Sequence, residues 1–280
     1  LRAHVLRRWV QALPCSGDPM RRIGVMGGTG LLALEAIPGA AEAGWTTERV
    51  DEIQHETPYG AVPLRCMTLT RSDERCEVVF VQRHHDASGG TVPPHRIEHR
   101  ANLRAMADAK VDGLIAVCSV GTLVERLPPG RVGVAGDGID LTGVSTTFYD
   151  DDAEFTSMAN AYDEALLHRT AAVLGEDQGV SAEDLIVTYW LTQGPQFETP
   201  AEIDAIEQLG GEVVGMTMPR EAKLAAELGL PYVALCIAAN WAAGRSPEGR
   251  RTDLVHEEVS AEAHRRLGPV WAVLLDQIGA

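Results

Sequence analysis

From residue 21 to the C-terminus, short β-rich runs alternate with stretches of helical period, and no linker-like tract separates them. This alternation constrains the fold more than any other feature. A strand apolar along its length must be covered on both faces, and helices between successive strands supply the cover. We read strands at 23–26, 77–82, 113–117, 131–135, 185–191, 212–216 and 232–238. Helices are read at 97–109, 160–174, 199–209, 219–228 and 260–278. The expected fold is α/β, one domain over residues 20–280, with a central, mostly buried sheet flanked by helices.

Residues 1–19 follow a different pattern. Arg2, Arg7 and Arg8 surround a broken apolar run that ends at Pro14 and a turn over 16–19. Neither the continuous apolar segment nor the small-residue cleavage site of a secretory signal is present. We take Met20 as the physiological start and 1–19 as a non-native or disordered extension.

Composition narrows the function classes. Apolar residues are 45% and charged residues 23% of the chain, enough to build a sizeable core. No apolar run is long enough to cross a bilayer. The formal net charge of −16 opposes non-specific attraction to nucleic acid or to an anionic membrane, so neither is an expected partner. An anionic substrate would have to be caught by a local group of donors. The five cysteines are widely spaced and form no C-x-x-C, which fits a reduced cytoplasm rather than a disulfide framework.

Five strands end in small or polar residues: at Gly27–Thr29, Arg83-His84, Cys118-Ser119, Met216-Thr217 and Asn240. Ligands in α/β sheets bind beyond strand ends, where loops and helix starts present free N–H groups. Each segment has a bland reading beside the chemical one. Gly28 to Ala33 satisfies G-x-G-x-x-A after a strand, which a dinucleotide fold would use. Yet Pro38-Gly39 interrupts any helix early, and 56–63 is turn-rich where a second strand of a βαβ unit belongs. A compact anion nest with the Thr29 hydroxyl is the better reading. His84, His85, Asp86, His95 and His99 suggest a metal site, but their spacing fits no standard ligand pattern, and no metal is expected. Arg83 beside His84 suits a phosphate, through the guanidinium fork and an imidazole N–H; the alternative is an ordinary charged loop. Phe197 could stack on a flat heterocycle and Glu198 could accept an N–H from its edge. Alone, each reads equally as core packing or helix N-terminal charge compensation.

In order along the chain, these segments resemble the purine nucleoside phosphorylase and methylthioadenosine phosphorylase family. The matching pieces are GVMGGTGL (24–31), ETPYG (56–60), QRH (82–84), PPHRIEHRANL (93–103) and CSVGTL (118–123). They continue with SMANAYD (157–163), QGPQFETPAEI (193–203), VVGMTMPREAKLAAELGLPY (213–232) and HEEV (256–259). The resemblance implies a mixed sheet and phosphorolysis of a purine nucleoside to free base and sugar 1-phosphate, with inorganic phosphate as co-substrate and no cofactor. It implies a phosphate site of Thr29, Arg83, His84, Ser119 and Thr217. Met216 and His256 would contact the ribose, and Phe197, Glu198 and Asn240 the base. Arg83, His84 and Asn240 would carry the chemistry.

Two positions separate the subfamilies. Methylthioadenosine enzymes typically carry Asp where this chain has Asn240, whose amide can donate to purine N7 or O6. Glu198 can accept N1–H of a 6-oxopurine but faces a lone pair in adenine. Both favour a 6-oxopurine, and such a polar site can reject the wrong base by as much as ~10⁴-fold. The 5′ substituent stays open between hydroxyl, favoured by His256, and methylthio, favoured by the overall run through 213–244. A 5′-methylthioadenosine enzyme and a catalytically weak nucleoside-binding protein are the alternatives. The second is motivated by departures from the family pattern at His85, Gly89-Gly90, His99 and Cys118. The resemblance further implies a cytoplasmic homotrimer in which an aromatic or apolar residue of a neighbour completes the site; Phe148, Tyr149 and Phe155 lie in the right region.

Overall fold

The computed structural model describes residues 20–280 apart from 87, 88, 248, 250 and 251. The expected extension over 1–19 lies outside the described residues. Nine strands form one mixed sheet in the order β2-β3-β4-β1-β5-β8-β7-β6-β9, and β9 also pairs with β5. That second pairing closes the C-terminal half of the sheet on itself. The strands are β1 (Arg21–Gly27), β2 (Thr46–Thr57), β3 (Gly60–Arg71), β4 (Glu74–Gln82) and β5 (Gly113–Thr122), followed by β6 (Val132–Asp140), β7 (Ile186–Leu191), β8 (Val213–Gly215) and β9 (Tyr232–Trp241). The helices are α1 (His99–Asp108), α2 (Glu164–Gln178), α3 (Pro200–Gln208), α4 (Met218–Leu228), α5 (His256–Arg265) and α6 (Gly268–Ile278).

β4, β1, β5 and β9 are parallel neighbours in that order. They are also among the most buried: β1 and β9 hide almost every side chain, and β4 hides those from Cys76 to Val81, as the continuous apolar runs require. Parallel alignment brings their C-terminal ends to one edge of the core. Gly28, Arg83, Cys118 and Asn240 therefore become neighbours despite their separation in sequence. β8 runs antiparallel to β5, with Val213 beside Thr122, so Met216 and Thr217 descend toward the same edge.

Three elements differ from the sequence reading. Residues 46–71 form a long antiparallel hairpin, β2 with β3, where only turns were legible. β2 lies at the sheet margin and is exposed along most of its length, so it shows no apolar alternation. The helix read over 260–278 is two helices, because Gly268-Pro269 opens a new one. The helix read from 160 starts at Glu164, where the Asp163 carboxylate accepts from Leu166 N at 2.8 Å and caps the first turn.

Candidate active site

At the shared edge lies a cavity of about 610 Å³. The structure brings every site residue read from the sequence to its wall: Thr29, Arg83, His84, Ser119 and Thr217, with Phe197, Glu198, Met216, Asn240 and His256. The strand ends thus converge on a single pocket.

Arg83 is placed by its surroundings. Only 2% of the residue is exposed. Its Nε and Nη2 both donate to the Glu221 carboxylate on α4, the latter at 3.1 Å, and Nη1 donates to Val117 O at 3.0 Å. Tyr232 Oη donates to the same carboxylate at 2.9 Å. Burial opposes ionisation of Glu221, but the adjacent guanidinium outweighs it and holds the carboxyl well below its usual range. The bidentate fork read from the sequence as free for phosphate is therefore taken by Glu221. What remains is the second N–H of Nη1, an atom lying against Gly28, where a Cβ would approach it to 2.6 Å. Gly28 is a glycine because the guanidinium fills that space. This answers the dinucleotide alternative: the close approach serves an arginine of the same chain, and turns rather than a helix follow residue 30.

His84 is fixed twice by Val92. Its Nδ1 lies 3.0 Å from Val92 O, and Val92 N donates to His84 O at 2.7 Å. Burial first, then Arg83, lower its pKa to about 4. His85 and His99, read from the sequence with His84, turn to different partners. His85 Nε2 bonds Asn102 Oδ1 at 2.8 Å, and His99 Nδ1 stands 3.5 Å from Glu221. Asn102 also donates to Arg83 O at 3.0 Å, so the start of α1 locks the Arg83–His85 loop.

Two of the cavity hydroxyl groups are in direct contact. Thr29 Oγ1 donates to Ser119 Oγ at 3.3 Å. Thr217 precedes α4 without capping it through its side chain, and Oγ1 stands 3.8 Å from Cys118 Sγ.

Glu198, which also lines the cavity, accepts at Oε1 from Thr192 Oγ1 at 2.7 Å. Burial pushes this carboxyl up, against the lowering effect of that hydrogen bond. Asn240 follows an irregularity in the β5–β9 ladder, where Val120 pairs with Ala238 but Gly121 pairs with Asn240. The extra residue, Ala239, re-aims the strand end, and Asn240 Nδ2 donates to Trp241 O at 2.7 Å. Met216 packs where Gly194 leaves room, since a Cβ there would come within 2.4 Å of its Sδ. His256 is exposed at the start of α5, with Nε2 3.4 Å from Ser260 Oγ.

A family model, the Phosphorylase superfamily, matches residues 22–274. The chain belongs to this superfamily. Among its relatives, the "6-oxopurine nucleoside phosphorylase" of Pyrococcus furiosus is 35% identical over 252 residues, covering 86% of this chain and 85% of the relative. The "Probable S-methyl-5'-thioinosine phosphorylase" of Methanopyrus kandleri is 37% identical over 246 residues, 86% of each chain. The fold is also shared at low identity: methylthioadenosine phosphorylase from Schistosoma mansoni in complex with adenine superposes with a TM-score of 0.74 at 22% identity, over 92% of this chain and 91% of that one.

Within this superfamily member, the sequence reading missed the side chains that hold the cavity wall in place, chiefly Glu221, Asn102 and Thr192. Glu221 had a legible signal. It occupies a position on the buried face of α4 with Met218, Ala222 and Ala225, and an acid on an apolar face calls for a buried cation.

Proposed function

We propose that this chain catalyses phosphorolysis of a 6-oxopurine nucleoside, either inosine or guanosine or their 5′-methylthio counterpart, to free base and the sugar 1-phosphate. One observation carries the reading: hydroxyl and N–H donors suited to an oxyanion and the Glu198–Asn240 pair suited to a purine edge share one cavity. Relatives named for 6-oxopurine nucleosides and for methylthioinosine support the substrate class.

In this mechanism, phosphate sits among Thr29, Ser119, Thr217, Arg83 and His84, on the face of the anomeric carbon opposite the base. Met216 and His256 border the sugar, and Phe197 lies against the heterocycle. As the glycosidic bond stretches, positive charge grows on the sugar and negative charge on the purine. The phosphate stabilises the first, and the Asn240 amide, donating to N7 or O6, stabilises the second. Glu198 accepts N1–H. The chemistry requires neither metal nor organic cofactor.

A homotrimer in the cytoplasm completes the proposal. The four cysteines among the described residues are all buried and outside any disulfide, which supports a reducing compartment. Phe155 is 93% exposed, whereas Phe148 packs on Tyr59 and Tyr149 is tied to Glu227. Phe155 is thus the aromatic residue free to reach a neighbouring subunit. The test is a panel of inosine, guanosine, methylthioinosine, adenosine and methylthioadenosine with and without phosphate. Base release from oxopurine substrates only when phosphate is present is the expected result. Release without phosphate marks a hydrolase, and faster turnover of the adenine nucleosides overturns the base assignment.

A further inference from the structure

The wall assigned to phosphate has no positive charge to spare. Arg83 is the only Lys or Arg among the described residues lining the cavity, and its charge is matched by Glu221 at contact distance, with both side chains buried. Two histidines also line the cavity: His256, exposed at the start of α5, and His84, the one read at the phosphate wall. Its Nδ1 faces the Val92 carbonyl at 3.0 Å, and a carbonyl only accepts, so the ring proton sits on Nδ1. Among the described residues nothing bonds Nε2, which in the neutral ring is a bare lone pair at the cavity wall.

The groups around this ring keep it neutral. Arg83 precedes it at the strand end, His99 comes from α1 and Glu221 from α4. Burial and Arg83 outweigh the attraction of Glu221, and the ring titrates at about 4. A phosphate dianion would meet an acceptor where it needs a donor, in a wall whose fixed charges already cancel.

We propose that the site takes inorganic phosphate as H₂PO₄⁻, whose P–OH bonds to His84 Nε2 and passes its proton there, leaving HPO₄²⁻ beside an imidazolium. This rests on the reading that the cavity binds phosphate. The transfer balances: the P–O–H bond breaks, the Nε2–H bond forms, and the total charge stays at −1. The substrate thereby brings the positive charge that the protein lacks, and His84 becomes a donor to the dianion only after accepting its proton. The neutral acceptor also discriminates against oxyanions that carry no proton at these pH values, such as sulfate.

Calorimetry of inorganic phosphate with the full chain tests this, run at about pH 6 and about pH 8.5 in buffers of different ionisation enthalpy. Phosphate loses its second proton near neutrality. At the higher pH we expect about one proton taken up per phosphate bound and an affinity falling about tenfold per pH unit; at the lower pH, uptake near zero. His84→Gln, whose amide offers an N–H near the Nε2 position, should bind phosphate without proton uptake at about pH 8.5 and lose the fall in affinity above neutrality, while His99→Gln keeps the uptake. Sulfate should compete at least about tenfold more weakly than phosphate at about pH 6. Tight phosphate binding without proton uptake at about pH 8.5 overturns the proposal. So does uptake that survives in His84→Gln or disappears in His99→Gln, or sulfate competing as well as phosphate. Absence of any phosphate binding by the unsubstituted chain at either pH instead rejects the phosphate site itself.

Discussion

Asn240 differs from aspartate by a single amide N–H₂, and that group bears on the choice of leaving base. Nδ2 donates to Trp241 O at 2.7 Å, which leaves its second N–H and the Oδ1 acceptor to address a purine edge. An aspartate in the same rotamer loses the donor and gains an acceptor that suits an exocyclic amine. Asn240→Asp should therefore move the ratio of kcat/KM for inosine over adenosine toward adenosine by about tenfold to a hundredfold, because one buried polar mismatch costs about 1–3 kcal/mol. Steady-state kinetics on both nucleosides measures it; an unchanged ratio removes Asn240 from base recognition. The residue types at the strand ends were legible because Thr, Arg, His and Asn are out of place after apolar runs. The partner of Arg83 was not, since Glu221 lies 138 positions away and enters only through packing of α4 on the sheet. Nor was the ring orientation of His84, which depends on the backbone of Val92.

Element positions follow the same division between local and distant causes. β1, β4, β5 and β9 were legible because each is buried and ends abruptly in small or polar residues. The hairpin of β2 and β3 was hidden by an exposed, charge-rich margin strand and by Pro63 within β3. α3 was legible from its first four residues. There Thr199 Oγ1 accepts from Glu202 N at 3.2 Å, and Glu202 accepts from Thr199 N at 2.7 Å, a reciprocal cap with Pro200 in the first turn. This cap also anchors the segment carrying Phe197 and Glu198 immediately before the helix. Thr199→Ala should cost about 1 kcal/mol of stability. Because the cap anchors that segment, the KM for nucleoside should rise several-fold while the KM for phosphate stays level, since the phosphate wall is built on other elements. Urea denaturation and a two-substrate kinetic analysis separate the effects; equal rises in both constants mean a general loosening of the fold.

For the whole molecule, the formal charge of −16 and the buried ionisable groups pull stability in opposite directions as pH falls. Protonating surface carboxylates relieves self-repulsion, and salt screens that contribution within about 6 Å at a few tenths molar. The buried groups are screened far less. His84 binds a proton at about 4 when folded against 6.5 for the free side chain, so between those values the unfolded chain takes up a proton that the folded chain refuses. Its contribution is complete above 6.5 and is lost as pH falls toward 4, amounting to about 3 kcal/mol. Glu221, also depressed on folding, adds to the loss below its ordinary value of 4.5. Glu198, raised by burial, works the other way, favouring the folded state at acid pH. At a few tenths molar salt, the unfolding free energy should fall steadily from about pH 6.5 to about pH 4, and His84→Gln should flatten that limb. A profile that is flat in the unsubstituted chain would mean that the folded protein already carries the His84 proton. The lone pair at Nε2, and with it the need for phosphate to arrive protonated, would then be gone.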